Sequence, residues 1–544
     1  MRILWLDINS SYSHSSLAIP ALHAQLLPHD ESKHKWQILS GTINRDQSFY
    51  LSQISEFRPD YILSTSWLFN HIFLLTILNR AKALLPDLRI VLGGPEYLGE
   101  NREYLIKNRF ITAVFRGEGE DIYPQFIRAI HNESHWKRLS GFCHLDLNGE
   151  YYDNGNAVVK NFTALYPPES SRFFSWNKPF VQIETSRGCF NRCAFCISGD
   201  GRKVENIALD EIETRLDRIR TRNIKEVRVL DRTFNSSDSR ASSLLNLFKK
   251  YHPDINFHLE IHPAILGDGV KEELKTTPPA LLHLEAGIQS LNDIVTKECM
   301  RYGESEGTLE GLSTLLSFGK FDIHCDLIAG LPYYTLENLF SDVRKLIVAS
   351  PGEIQLELLK ILPGTDFERR ASEIGLKYSP LPPYEILETK WITYSELSVA
   401  STLSKILDMY YNNEIWSECF SSIVKNNSLF LINFTKHIHE GEFEKLSGSE
   451  GSGLILYNFC SLNYTKSIEK IIICWMDNGL SLRSGPGLMS KQWRYGDKLH
   501  NPAFDHDSIS TGYRYIDFKD KRVWFLYNKK NNSYKAFSNF IEFL

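Results

Sequence analysis

Cys189-Phe190-Asn191-Arg192-Cys193-Ala194-Phe195-Cys196 places three thiols within eight residues, separated by three and then two other residues. The other six cysteines (Cys143, Cys299, Cys325, Cys419, Cys460 and Cys474) are scattered singly. Three buried small hydrophobes would explain the thiols but not their spacing. Three thiolates on one loop suit a soft metal centre. An iron–sulfur cluster ordinarily takes four cysteine ligands. No fourth cysteine is nearby, so one iron would be left open for another ligand.

Outward from this loop, six strand-like runs each lead into a helical pattern: Val181–Thr185, Lys225–Leu230, Asn256–His262, Leu281–Gly287, Phe321–Leu327 and Glu353–Leu359. Repetition of strand and helix predicts a partial (β/α)6 barrel of the TIM type, with its chemistry at the carboxyl ends of the strands. The cysteine loop falls at that end of the first strand. Phe257, Leu259 and Ile261 share one face, and His258, Glu260 and His262 the other. Leu282 and Leu284 alternate with His283 and Glu285, and Ile323, Cys325 and Leu327 with His324 and Asp326. In the sixth run Ile354, Leu356 and Leu358 alternate with Gln355 and Glu357. The apolar set packs on helices, and the polar set faces the lumen. Complete barrels fill that space with branched apolar layers, so a polar lumen implies an open sheet around a polar ligand. A self-satisfied hydrogen-bond network and a metal site are the alternatives.

Residues 1–135 alternate strands (Ile3–Ile8, Trp36–Leu39, Tyr61–Ser66, Arg89–Leu92, Thr112–Phe115) with helices (Leu17–Leu27, His71–Leu85, Asn101–Asn108, Asp121–Ile130). This predicts a doubly wound parallel sheet, Rossmann-like, with ligands beyond the strand ends. Residues 136–179 form a connection with a hairpin near Asn148-Gly149. Residues 180–375 hold the barrel, and Pro380-Leu381-Pro382-Pro383 opens an α+β region at 376–544. There, apolar stripes such as Leu397, Ala400, Leu403, Ile406, Leu407 and Tyr410 read as helices, as do Ile415, Trp416, Cys419, Phe420 and Ile423. Ser447–Gly453 reads as a flexible break. Gly512–Phe518, Val523–Tyr527 and Ser533–Phe537 read as a meander with a turn at residues 528–532.

Composition is ordinary for a globular chain, with 42% hydrophobic and 23% charged residues. A net charge of −5 argues against generic polyanion binding. No apolar run reaches transmembrane length, and Met1–Asp7 lacks the form of a signal peptide. Nine cysteines in so large a chain do not suggest a secreted disulfide scaffold. A reducing cytoplasm is expected. From 481 onward eleven basic residues face six acidic ones among many aromatics. That pairing serves either nucleic acid or a solvated surface over an aromatic core.

Ser186-Arg187-Gly188-Cys189-x3-Cys193-x-Phe195-Cys196 resembles the signature of the radical S-adenosylmethionine (SAM) superfamily, Cys-x3-Cys-x-aromatic-Cys. The resemblance implies that Cys189, Cys193 and Cys196 hold three irons of a 4Fe-4S cluster. It implies that the fourth iron takes the amino and carboxylate groups of SAM, with Phe195 near the adenine. Leu230-Asp231-Arg232-Thr233-Phe234-Asn235 resembles the end of the second strand in relatives, where Asp231 or Asn235 meets the methionine ammonium. Glu285-Ala286-Gly287-Ile288-Gln289-Ser290 resembles the fourth-strand motif near the ribose, which implies SAM contacts by Glu285, Gln289 and Ser290. Ile328-Ala329-Gly330-Leu331-Pro332 resembles the fifth-strand glycine motif, which places Gly330 along the adenine. Phe190 stands where a proline is frequent, and no Gly-Gly-Glu closes the second strand, as is usual in the cobalamin-associated branch.

The N-terminal part resembles cobalamin-binding domains, which carry Asp-x-His-x-x-Gly, then Ser-x-Leu, then Gly-Gly. Asp7, Ser66-Trp67-Leu68 and Gly93-Gly94 match in order, whereas Asn9 replaces the cobalt-ligating histidine and Tyr12 the glycine. This implies cobalamin without a histidine lower ligand, or a domain that has lost cobalamin. His14 is either a substitute ligand or a solvated loop residue. The residues after 375 resemble an uncharacterised extension of the same branch. Together the resemblances imply an enzyme that cleaves SAM to a 5′-deoxyadenosyl radical and methylates an unactivated carbon. Its substrate would be a small molecule or peptide, and its electron donor of flavodoxin or ferredoxin type. Radical cyclisation, rearrangement or oxidation without methyl transfer, a passive cluster protein, and nucleic-acid-directed modification are the alternatives.

Overall fold

The structure is a computed structural model. It describes residues 1–441, 448–480, 485–486, 494–495, 511–517, 521–528 and 533–543. The chain forms two compact units, Met1–Thr335 with Leu358–Tyr394, and Leu336–Glu357 with Ser395–Leu544.

The first unit begins with strands β1 (Arg2–Asn9), β2 (Lys35–Thr42), β3 (Tyr61–Thr65), β4 (Arg89–Gly93) and β5 (Ala113–Phe115). They pair in parallel in the order β2-β1-β3-β4-β5. Strand residues alternate between two cores. Leu4, Leu6, Ile8, Ile62 and Leu92 enter one; Ile3, Trp5, Leu63 and Val91 enter the other. Each fully buried leucine contributes about 2 kcal/mol by area removed from water. Both faces are therefore covered by helices, as the near-continuous apolar strands require. A helix at Gln47–Phe57, absent from the sequence reading, is started by Asp46, whose side chain accepts from Ser48 N at 2.7 Å. The expected hairpin exists, and it continues the sheet as antiparallel β6 (Phe142–Leu145) and β7 (Tyr151–Asp153).

The second sheet of this unit starts with β8 (Phe180–Ile183). A two-stranded ribbon, β9 (Ser186–Arg187) with β10 (Glu205–Asn206), then brackets the cysteine loop. Strands β11 (Glu226–Val229), β12 (Asn256–Ile261), β13 (Leu282–Gln289) and β14 (Asp322–Ala329) follow in parallel order from β8. The expected sixth run forms a strand, β15 (Glu353–Leu358), whose residues through Glu357 belong to the second unit. Alternation places Phe257, Leu259 and Ile261 in the core, while His258 and Glu260 are half-buried on the opposite face.

The second unit carries helices Leu336–Ala349, Ser417–Asn426, Phe430–Glu440, Ser449–Asn463 and Ile468–Asp477, together with Ser395–Ile406 of the helix that starts at Tyr394. The four-stranded antiparallel sheet Arg494–Tyr495, Thr511–Asp517, Lys521–Asn528 and Ser533–Phe543 completes it. The expected flexible break at 447–453 is helical from Ser449, and Ser447 lies outside the described residues. The physical reason is close packing: a Cβ at Gly453 would lie 2.4 Å from the Trp416 ring and 2.7 Å from that of Trp475. Phe518 and residues 529–532 of the expected meander also lie outside the described residues. Among the described residues, no helix is long and apolar enough to cross a membrane.

Candidate functional site

Asp231 sets the start of the cysteine loop. One of its oxygens accepts from Thr185 N (2.7 Å) and Ser186 N (2.9 Å), the other from the Thr185 hydroxyl at 2.5 Å. Burial pushes this carboxyl up against those bonds. Gly188 has φ +104°, and a Cβ there would lie 2.7 Å from the Lys203 carbonyl, so the turn into Cys189 requires glycine. Within the loop, Cys196 N donates to Cys193 O at 3.0 Å. From outside it, Ala194 N donates to Cys299 O (2.9 Å), Tyr302 N to the Asn191 side chain (2.9 Å), and Phe367 N to Ala194 O (2.9 Å). The loop is thus tied down by backbone from 299–302 and 367.

Cys189 and Cys193 are buried and Cys196 is half-buried. Burial pushes the Cys193 and Cys196 thiols up; Cys193 also feels the charge of Cys196 and Cys189, and Cys196 that of Cys189. Arg301 opposes this at Cys193, where Nη1 reaches the sulfur at 3.8 Å while Nη2 holds the Gly287 carbonyl at 2.5 Å. Arg232 does so electrostatically at Cys196. Among the described residues, no three His, Cys, Asp or Glu side chains converge as a single-ion site.

Below the loop the lumen is polar, as the alternation requires. A cavity of about 100 Å³ is lined by Arg232, Thr233, Glu260, His262, Glu285, Gln289, Arg301 and Asp326, among others. His258 and Glu285 lie 3.0 Å apart, which holds the Glu285 carboxyl below its usual range. His324 and Asp326 lie 2.8 Å apart, yet burial raises the Asp326 carboxyl. Glu260 is pushed up to about 7 by burial first, with Glu285, Asp326 and Asp231 adding to it against Arg232. The cavity therefore presents carboxyls in different protonation states side by side near neutral pH.

Of the residues expected to contact SAM, the structure brings Glu285 and Gln289 to this cavity. Gln289 sits at a β-bulge with φ +67°, a left-handed conformation that re-aims its side chain. Asn235 is spent on backbone: it accepts from His262 N (2.8 Å) and donates to His262 O (2.9 Å). Ser290 is buried and accepts from Asn292 N at 3.1 Å. Gly330 (φ +90°) turns the chain after β14. Phe195 is half-buried, 6.5 Å from the Phe367 ring. Asp231, Asn235, Ser290, Gly330 and Phe195 do not line the cavity. Arg301, its second cation, has no motif of its own and went unread in the sequence.

At the ends of the N-terminal strands, Ser66 N donates to Gly93 O (2.7 Å) and the Ser66 hydroxyl meets His71 Nδ1 (2.8 Å). Gly94 has φ +110°, and a Cβ there would lie 2.5 Å from Ser66 O, so these two loops can touch only with glycine. An apolar pocket of about 70 Å³ opens under Gly93 among Trp5, Leu63, Thr65, Phe115, Tyr123 and Phe142. A larger cavity of about 440 Å³ lies between the two sheets. Trp67, Gly94, Pro95 and Gly117–Glu120 line one side; Ser186–Gly188, Ile197, Ser198, Arg202 and Arg232 line the other. Leu22, Phe115 and Gly119 line both spaces, and Arg232 lines both the larger cavity and the lumen. Across the larger cavity, Arg202 holds Glu118 through two bonds (2.9 and 2.7 Å) and Arg187 meets Glu120 at 2.8 Å. Asn9 and His14 line neither space. The Asn9 amide donates to Asp7 at 3.1 Å, and the His14 ring meets the Ser11 hydroxyl at 2.7 Å.

Residues 183–346, which contain the loop and the polar strands, match the family described as the radical SAM superfamily. This is a radical SAM domain. Residues 372–472 match a protein family of unknown function, DUF4080. An uncharacterized methyltransferase of Pyrococcus horikoshii is 21% identical over 360 residues, which span 63% of this chain and 77% of that protein. The ribosomal protein uS12 methylthiotransferase RimO of Chlamydia pneumoniae is 26% identical over 181 residues, 31% of this chain and 39% of the relative. Two solved structures share the fold. The radical SAM methyltransferase TsrM from Kitasatospora setae, with cobalamin and a [4Fe-4S] cluster bound, has a TM-score of 0.55 at 16% identity, covering 70% of this chain and 76% of its own. The cobalamin-dependent radical enzyme OxsB, with aqua-cobalamin bound, has a TM-score of 0.60 at 16% identity, covering 87% and 79%. The Rossmann-like domain followed by a barrel of the radical SAM type is thus an architecture this chain shares with both.

Proposed function

We propose that this radical SAM protein is a cobalamin-dependent methyltransferase that acts on an unactivated carbon of a small molecule or peptide. The observation that carries the reading is the cavity of about 440 Å³ walled by the strand ends of both sheets. On its barrel side it reaches the residues flanking the cluster cysteines, and on its other side it shares walls with the apolar pocket under Gly93. That pairing fits a broad corrin with an aromatic base on a tail: the wide space takes the ring system and the narrow one the base. The TsrM and OxsB structures hold cobalamin, and the methyltransferase of Pyrococcus horikoshii agrees with methyl transfer.

When bound, the cluster and corrin supply electron transfer to SAM and a methyl carrier, chemistry the side chains lack. The chain's own residues hold, orient and exclude. Cys189, Cys193 and Cys196 would hold three irons, with Arg301 and Arg232 balancing the thiolate charge. Glu285 and Asp326, in the cavity under the loop, suit the cationic centres of SAM. Glu260 can hold or release a proton at neutral pH. The ion pairs of Glu118 and Glu120 with Arg202 and Arg187 fix the N-terminal loop 117–120 against the cluster loop.

A second reading, radical rearrangement or oxidation without methyl transfer, is favoured by Asn9, which stands where a ligating histidine would be. One assay separates the two. Anaerobically reconstituted protein is given SAM, a low-potential reductant and cobalamin, and products are followed by mass spectrometry. Methyl transfer yields S-adenosylhomocysteine and 5′-deoxyadenosine, both dependent on cobalamin. The second reading yields 5′-deoxyadenosine alone, with or without cobalamin. Absence of both products, in protein that binds about four irons, overturns both readings.

A further inference from the structure

The loop after β4 walls the N-terminal side of the larger cavity through Gly94, Pro95 and Leu98. Its fixed point is the buried carboxyl of Glu96. The Tyr384 hydroxyl donates to Glu96 Oε2 at 2.6 Å, from 288 residues away in the chain. Burial pushes the Glu96 carboxyl up, and the Tyr384 hydrogen bond opposes it. The same oxygen lies 3.8 Å from His71 Nδ1, which meets the Ser66 hydroxyl at 2.8 Å. A line of buried polar groups thus runs from Tyr384 to the residue that follows β3.

The loop is also gripped by backbone. Gly364 has φ +82°, and a Cβ there would lie 2.8 Å from Leu98 Cβ. A Cβ at Gly99 would lie 3.2 Å from Gly364 N, so the two segments meet at bare backbone. The Glu368 carboxylate accepts from Gly364 N at 2.6 Å and fixes that turn. The same segment reaches the opposite wall. Phe367 N, in the first turn of the helix Asp366–Ile374, donates to Ala194 O, between Cys193 and Cys196, at 2.9 Å. The ends of the segment are pinned together: Ile361 N donates to Tyr384 O (2.9 Å) and Ile386 N to Leu359 O (2.8 Å). Its second half, Tyr384 included, falls in the match at 372–472 to the family of unknown function.

We propose that residues 361–386 are a spacer that fixes the separation of the cluster loop and loop 94–99, with Tyr384 as the positioning residue for the corrin-facing wall. Loss of the Tyr384 hydroxyl leaves Glu96 buried without its donor. Loop 94–99 then loosens, while the cluster loop, held through Phe367, stays in place. The inference rests on the corrin reading for the identity of the ligand; the spacer itself is a property of the chain.

The test uses the iron-loaded full chain, kept anaerobic. Hydrogen exchange at residues 94–101 is followed by mass spectrometry, and hydroxocobalamin binding by equilibrium dialysis. Tyr384→Phe should speed exchange at 94–101, leave bound iron unchanged and weaken hydroxocobalamin about fivefold or more. Gly364→Ala, which drives Leu98 away from the other side of the loop, should give the same changes. Glu96→Gln keeps an acceptor for the Tyr384 hydroxyl and should bind as the wild type does. Tyr61→Phe is the control. It loses a buried bond to Ile130 O in the same domain, and Tyr61 lines neither the larger cavity nor the pocket under Gly93. Its binding should match the wild type. Equal weakening by Tyr61→Phe and Tyr384→Phe would reduce Tyr384 to general stability and overturn the proposal. Unchanged exchange at 94–101 in Tyr384→Phe, or iron lost with the hydroxyl, would overturn it as well. A wild type that binds no hydroxocobalamin sinks the corrin reading instead, and the exchange comparison then decides the spacer by itself.

Discussion

Glu260→Gln should make the first unit more stable, and only on the alkaline side of the titration. The Glu260 carboxyl is raised from 4.5 to about 7, chiefly because its strand points it into a desolvated lumen. In the unfolded chain the carboxyl ionises near 4.5, whereas in the fold it keeps its proton to about 7. Between those values the folded state binds the extra proton, so stability falls as pH rises through that window and is level above it. At about 1.4 kcal/mol for each pH unit of difference, ionised Glu260 costs about 3 kcal/mol at alkaline pH. Glutamine keeps the shape without the charge. The difference between variant and wild type should be near zero below pH 5 and grow to its full value above 7. For a unit of this size that corresponds to roughly 4 °C in the unfolding midpoint. The assay is thermal unfolding of the anaerobic holoprotein, followed by tryptophan fluorescence across this pH range. Glu285→Gln is the internal control with the opposite sign. The Glu285 carboxyl is held low by His258, so its stabilisation is present above the unfolded carboxyl value and is lost as pH falls. That variant should destabilise at neutral pH. A Glu260→Gln difference that is equal at pH 5 and pH 8 would refute the argument, because it would mean the carboxylate is already charged throughout.

Asp231→Ala should leave Thr185 N and Ser186 N without their acceptor, at a cost of about 2–4 kcal/mol. It should also lower bound iron, measured by ferrozine assay, although Asp231 is no ligand; full iron retention would show that the latch is dispensable. Glu118→Ala removes two bonds from Arg202 and the acceptor of Val159 N. With both side chains less than a third exposed, a loss of about 1–3 kcal/mol is expected, read as a lower unfolding midpoint. Cobalamin-loaded wild type, reduced to the cob(II) state, should show an electron paramagnetic resonance spectrum without axial-nitrogen splitting, and His14→Ala should not change it. Trp67→His, on the N-terminal wall of the larger cavity, should introduce such splitting. Nitrogen splitting in the wild type that vanishes in His14→Ala would make His14 a ligand after all.

The parts of the fold legible in the sequence are those where one period governs a whole segment. Strict alternation at Phe257–Ile261 and Leu282–Glu285 gave both the sheet and the polarity of its lumen, because a strand has two faces and the chain can satisfy each separately. The cysteine loop was legible for another reason: its ligands are close in sequence, so spacing alone reports the chemistry. Helix Gln47–Phe57 was missed because its pattern is weak beside the apolar strands, and the cap at Asp46 carries most of its signal. The helical start after Gly448 was missed because serine and glycine usually mark a break. Gly453 is there instead to let two tryptophans approach the helix backbone.

The residues that complete the site were illegible for a physical reason that also limits what any motif can assign. Asp231 and Asn235 were expected to meet SAM, but in this fold their polar atoms bond the backbone of 185–186 and 262. A carboxylate that already accepts three hydrogen bonds inside the protein has little capacity left for a ligand. Arg301 stands in the opposite case. No local pattern marks it, yet the turn after the helix Asp293–Glu298 brings it to Cys193 and the Gly287 carbonyl together. Spacing reports ligands that a single loop supplies. Charge near the thiols comes from Arg232 and from Arg301, the latter 108 residues from Cys193, and only the folded sheet brings both into range. The same would hold for a corrin. Asn9 raises the question of a missing ligand, but Trp67, Gly94 and Pro95, which line the larger cavity, would meet a corrin through the shape of that cavity. With an apolar wall where relatives would place an imidazole, this chain would supply cobalt with no nitrogen ligand, which the wild-type spectrum tests and Trp67→His should reverse.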